Sequence, residues 1–181
     1  MSIWNSYLRW RHSKGFGVHS PYAYKFITDV VKPGEYGYYA YHDLDRILLE
    51  YDLSTPRNFK RIAFVIRLLI FLKIRRVVSF PPNEMLPRVA AESLRIPNRY
   101  LTNGNSFKFR EGDILIIQSD SFDEGILREA INEKCPVFAF TPGYELRKEL
   151  KKPLSRGVLF NWKDKMLLIP RQEMEYLSYD V

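Results

Sequence analysis

The apolar positions of this chain keep two different periods. Up to about residue 73 they recur at helical spacing, whereas from Arg76 onward short runs that are apolar on both sides alternate with amphipathic stretches. Ile3, Trp4, Tyr7, Leu8 and Trp10 predict a short helix that Lys14-Gly15-Phe16-Gly17 ends. Ser20-Pro21 starts another: the serine hydroxyl caps free amides, and proline sits at the first helical position, where a missing N–H costs nothing. Tyr22, Phe26, Ile27, Val30 and Val31 form its packing face, and it runs to about Val31, ahead of Pro33-Gly34. Leu44, Ile47, Leu48 and Tyr51 predict a third helix over 42–51. Thr55-Pro56 repeats the cap-then-proline start for a helix over 56–73. This one is apolar on nearly every side except at Lys60, Arg61, Arg67 and Lys73, the pattern of a helix pressed between other layers.

Beyond it, strands are expected at 77–80, 98–101, 113–117 and 136–140, with helices over 84–94 and 144–152 and a helical crossover over 119–134 between them. Pro87 must lie in the first turn of its helix or kink it. Asp113-Ile114-Leu115-Ile116-Ile117 is the strongest strand, apolar on both faces as a central parallel strand should be. Ser121 and Glu124 read as a capping box, and Thr141-Pro142 as a third hydroxyl cap followed by proline. Segments 157–161 and 166–169 predict an antiparallel hairpin around Lys163-Asp164-Lys165, and 171–181 a polar and aromatic tail. The sum is one α/β domain over 1–181, with a helical extension at 1–55 and a layered core at 56–181 carrying helices on both faces of a mostly parallel sheet.

The stretch around which this pattern turns is 75–84, a strand running through Ser79-Phe80-Pro81-Pro82-Asn83-Glu84 into a helix. In an open α/β sheet a small ligand docks at such a corner, beyond the carboxyl ends of the strands. Glycine is expected there, because only glycine lets the backbone close around an adenosine or a phosphate. This corner has two prolines and no glycine.

Composition narrows the picture modestly. The 12 Tyr and 12 Phe exceed what a domain of 181 residues needs, which predicts either a tightly packed aromatic core or an aromatic subunit interface serving a homodimer or a protein partner. The net charge of +7 belongs to residues 1–80, where 13 Lys/Arg face 6 Asp/Glu; nucleic acid ranks low among the partners this suggests. Met1-Ser2-Ile3-Trp4 opens without the basic and apolar regions of a signal peptide, and the longest apolar run, 62–72, is interrupted by Arg67 and too short to cross a bilayer. A cytoplasmic location without membrane contact is expected. The single cysteine, Cys135, excludes an intramolecular disulfide and reads as buried packing.

The order of elements over 76–169 resembles the class I S-adenosylmethionine-dependent methyltransferases, which end in an antiparallel strand pair. Residues 12–21, His12-Ser13-Lys14-Gly15-Phe16-Gly17-Val18-His19-Ser20-Pro21, are similar to the His-Gly-x-His-Ser-Pro lead-in of a group of bacterial, chiefly Bacteroidetes-type, relatives, with Phe16 in the slot of the first histidine. The departures are chemical. The family's acidic-x-Gly-x-x-x-Gly loop is replaced by 79–85, and no acidic residue follows the second strand, where Arg99-Tyr100-Leu101-Thr102-Asn103 stands instead. The link from Leu101 to Asp113 is too short for a further helix and strand, and Gln118-Ser119-Asp120-Ser121 keeps one carboxylate. The resemblance thus implies a Rossmann-like methyltransferase fold in which Ser79, Phe80, Asn83, Asn103 and Asp120 line a vestigial cofactor pocket.

Two other clusters have simpler explanations. Asp120, Asp123 and Glu124 could hold a cation, but helix capping and the field of a helix N-terminus account for them, and no metal is expected. His12, His19 and His42 are the three histidines, and structural hydrogen bonding fits them better than ligation. The leading expectation is a pseudoenzyme: a methyltransferase-like domain without S-adenosylmethionine or catalysis, serving in binding. An active methyltransferase with an atypical cofactor loop, and a basic polyanion-binding module in which Arg57, Lys60, Arg61, Arg67, Lys73, Arg75 and Arg76 converge on one face, are the alternatives.

Overall fold

A computed structural model describes residues 20–32, 40–82, 85–102, 107–118, 122–152 and 156–181. Helix α1 (Pro21–Phe26) begins where Ser20 Oγ accepts from the Ala23 amide at 3.3 Å, and it continues as a π-helical turn over Ile27–Val31. Helix α2 spans Ala40–Glu50 and α3 spans Pro56–Phe71, the latter capped by Thr55 through the Asn58 amide at 3.2 Å. Both cap-then-proline starts of this half of the chain therefore form as the sequence predicts. The third does not: α6 (Tyr144–Leu150) starts from Gly143 without a side-chain cap, because Thr141 takes φ +40° and gives its amide to Asp164 O at 2.6 Å. A second correction concerns α5 (Glu124–Asn132), whose cap is Asp123, accepting from the Ile126 amide at 3.1 Å, while Ser121 lies outside the described residues.

Strands β1 (Arg76–Phe80), β2 (Asn98–Tyr100), β3 (Asp113–Ile117), β4 (Val137–Phe140), β5 (Arg156–Asn161), β6 (Lys165–Glu175) and β7 (Leu177–Asp180) make one sheet in the order β2-β1-β3-β4-β6-β5-β7. The first four run parallel; β6 is antiparallel to both β4 and β5. Helix α4 (Met85–Ser93) makes the crossover from β1 to β2, with Pro87 in its first turn. The expected tail is structured further than its polarity suggested. β6 runs on to Glu175, and β7 returns to pair parallel with β5, burying Tyr179 against Phe160 with ring centroids 5.7 Å apart.

Alternation of side chains separates two cores. Val77, Ile114, Ile116, Phe138, Phe140, Val158 and Phe160 pack under α1 to α4, and Val78, Leu115, Ile117, Val137, Ala139, Leu159 and Leu168 under α5 and α6. The helices before residue 56 are thus part of one layer of the domain: Phe26 packs on Phe160 with ring centroids 4.3 Å apart, and Leu44 and Leu48 are buried in the same cluster. Among the described residues the aromatic rings mostly go inward. Tyr24, Tyr100 and Tyr144 are the exposed aromatic residues among those described, on three different elements, and the others are buried or partly buried. No helix of the described residues is long and apolar enough to cross a membrane.

The β5–β6 ladder shifts register between Arg156 and Gly157, and Gly157 stands at φ +142°, where a Cβ would lie 2.6 Å from the Ile169 carbonyl oxygen. Gly157→Ala should therefore cost about 2–3 kcal/mol through strained backbone and a displaced ladder. A urea unfolding midpoint unchanged from wild type would show that the bulge relaxes without cost.

Candidate functional site

In this sheet β2 and β3 lie on opposite sides of β1, so the chain reverses direction across β1 and the ligand crevice of an open α/β sheet falls beyond the carboxyl ends of β1 and β3. Two of the five residues expected to line it are described there. Ser79 is wholly buried, and its hydroxyl donates to Asn98 Oδ1 at 3.0 Å; the Phe80 ring is buried in the α5 and α6 core, ahead of a cis peptide to Pro81. Neither presents a polar side-chain atom to a ligand. Asn83, Asn103 and Asp120 lie outside the described residues, as do His12 and His19; His42 falls on α2. Beside the corner, Gln118 buries its Oε1 with no hydrogen-bond partner among the described residues, which leaves one acceptor open to a donor.

A second location at the same end of the sheet gathers more chemistry. The first turns of α3, the end of β4 and the β5–β6 turn enclose a cavity of about 400 Å³, walled by Tyr41, Phe59, Ala63, Phe64 and Phe140 and edged by Lys60, Arg61, Arg67, Asp164 and Lys165. Its place follows from the chain path. Helix α3 precedes β1 and runs back against it, so its first half lies at the carboxyl ends, and Phe140 is paired in register with Lys165.

Arg67 is held by neutral partners, whereas Lys165 has a carboxylate beside it. Arg67 Nε donates to Val30 O at 2.9 Å, one of the carbonyls that the end of the π turn leaves without a helical donor, and Nη1 donates to Tyr41 Oη at 2.9 Å. Tyr41 Oη in turn donates to Ala63 O at 3.4 Å, so this tyrosine ties α2 to α3. Lys165 Nζ meets the Asp164 carboxylate at 3.1 Å and lies over the rings of Phe64 and Trp162, at 5.3 and 5.4 Å from their centroids. Arg147 fixes the turn that carries both residues: Nε reaches Pro142 O at 2.9 Å, Nη1 reaches Asn161 Oδ1 at 3.1 Å, and Nη2 reaches Lys163 O at 2.7 Å.

The basic residues of 57–76 therefore do not converge. Lys60, Arg61 and Arg67 line the cavity along α3, while Arg76 sits at the amino ends of the strands, paired with buried Asp113 through Nε at 2.8 Å and through Nη2. Asp113 accepts in addition from the Arg110 amide at 2.8 Å, and the pair holds the Arg76 guanidinium above its ordinary pKa. Sequence reasoning placed Arg67 among the few polar positions of a helix pressed between layers and did not single out Arg147. An arginine set between Val65-Ile66 and Leu68-Leu69 was the available signal for Arg67; its partners, 26 and 37 residues away, were not.

Near the Arg76–Asp113 pair, Cys135 is buried, and desolvation first, then the charge of Asp113, pushes its thiol far above the ordinary range. A folded value above the unfolded one means the thiol contributes stability that is complete below the unfolded pKa, about 8.5, and is lost as pH rises beyond it. Relative to Cys135→Ala, the wild type should lose about 1 kcal/mol of stability per pH unit between pH 9 and 11. Parallel stability curves for the two proteins across that range would remove the effect.

The chain matches no protein-family model, no curated protein and no solved structure.

Proposed function

We propose that this chain is a binding protein built on a shortened methyltransferase-like scaffold, without methyl transfer. The carrying observation is the corner after β1: the side chains of Ser79 and Phe80 are committed to the core where a cofactor would need space and acceptors. The parallel order β2-β1-β3-β4, followed by β6 running antiparallel to both β4 and β5, supports the scaffold. So does the link between β2 and β3, whose described residues contain neither helix nor strand. Methyl transfer requires a sulfonium held in line with a nucleophile, so positioning of the cofactor is most of its catalysis. A corner built from Pro81 and Pro82 in place of glycine supplies little of that positioning.

Isothermal titration with S-adenosylmethionine and S-adenosylhomocysteine, with the protein's mass checked in the same buffer, tests this reading. No binding is expected up to millimolar ligand. Micromolar binding of either compound would overturn the proposal and bring Gln118 Oε1 forward as a ligand acceptor.

A further inference from the structure

We infer that the cavity between α3, β4 and the β5–β6 turn is a site for a small organic anion, a planar apolar body carrying an oxyanion head such as a carboxylate or a phosphate. The inference deepens the reading of the chain as a binding protein and rests on it. Four observations carry it. The volume of about 400 Å³ falls within the range of small-molecule sites, and the walls are aromatic on three elements, through Phe59 and Phe64 on α3, Phe140 on β4 and Tyr41 on α2. Among the described residues, four cations border this space against one carboxylate, that of Asp164, which is already engaged by Lys165.

Arg67 is the third. Its Nε and Nη1 are used on a carbonyl and a hydroxyl, its Nη2 makes no hydrogen bond with a described residue, and no described carboxylate pairs with it. A partly buried guanidinium without a counter-charge favours an incoming oxyanion, because charge-assisted hydrogen bonds are shorter and stronger than neutral ones. The fourth is rigidity. The Val30 and Tyr41 contacts set the plane of Arg67, while Arg147 and the Thr141 amide fix the turn bearing Lys165, so both cations are positioned before a ligand arrives.

The test is isothermal titration of the full chain with 2-naphthoate, 2-naphthyl phosphate, 2-naphthalenemethanol and inorganic phosphate. One naphthyl anion should bind at a single site at least tenfold more tightly than the neutral alcohol, with inorganic phosphate weaker than either anion; the tighter anion identifies the head. Arg67→Met should weaken that binding at least tenfold. Because Arg67 also ties α1 and α2 to α3, Lys165→Met and the rim variant Arg61→Glu accompany it, each checked by thermal unfolding and each expected to weaken the anion severalfold without changing the alcohol. Absence of naphthyl-anion binding, an alcohol as tight as the anions, or anion affinity unchanged in Lys165→Met and Arg61→Glu overturns the inference. The two failures are distinct: S-adenosylmethionine binding would defeat the non-catalytic reading and leave the cavity's chemistry standing, whereas absent anion binding defeats the inference alone.

Discussion

A parallel strand with no polar face has to be covered twice. β3 is buried along its whole length, and Ile114 and Ile116 point one way while Leu115 and Ile117 point the other. The crossover helices α5 and α6 cover one side. The other side cannot be closed by α4 alone, and the chain brings α1, α2 and α3 back over it. This need accounts for the unusual character of α3, in which seven consecutive or near-consecutive residues are buried, and for the aromatic packing of Phe26 against Phe160 that draws the first helix onto the sheet. Burial of this apolar surface is the main favourable term in folding, and here it dictates the layer order as well.

The same arrangement creates the chemistry at the carboxyl ends. Helix α3 carries few charges, and three of its four, Arg57, Lys60 and Arg61, fall in its first two turns, where the layer opens toward solvent. Arg67 sits at the margin of that opening and satisfies the end of the π turn, an arrangement in which one side chain serves as helix cap and as cavity wall. At the amino ends the opposite solution holds. Arg76 and Asp113 neutralise each other with a third bond from the Arg110 amide, which suits a structural pair, since breaking a buried ion pair leaves an uncompensated charge.

Much of the fold was legible because its signals are local. The caps at Ser20 and Thr55, the two-faced run of β3 and the turn at Lys163-Asp164-Lys165 each lie within a few adjacent residues. Where partners come from far along the chain, the reading failed. Thr141 gives its amide to Asp164 instead of capping a helix, and the alternation of Leu177 and Tyr179 with Ser178 and Asp180 was too short to stand out as a strand without β5 beside it. The candidate site followed the same division. The corner at 79–84 was conspicuous in sequence as a motif with its glycines replaced, yet its described side chains are in the core. The cavity next to it is assembled from five separate segments, and no single stretch of sequence announces it.

The central claim is that ligand chemistry at this end of the sheet belongs to the α3 cavity and not to the corner after β1. Photolabelling of the full chain with benzophenone-4-carboxylate, followed by proteolysis and mass spectrometry, addresses it directly. The account predicts adducts on residues 59–67 or 164–165, suppressed by excess 2-naphthoate. Adducts concentrated instead on residues 79–82 or Gln118, with the α3 peptides unlabelled, would contradict it.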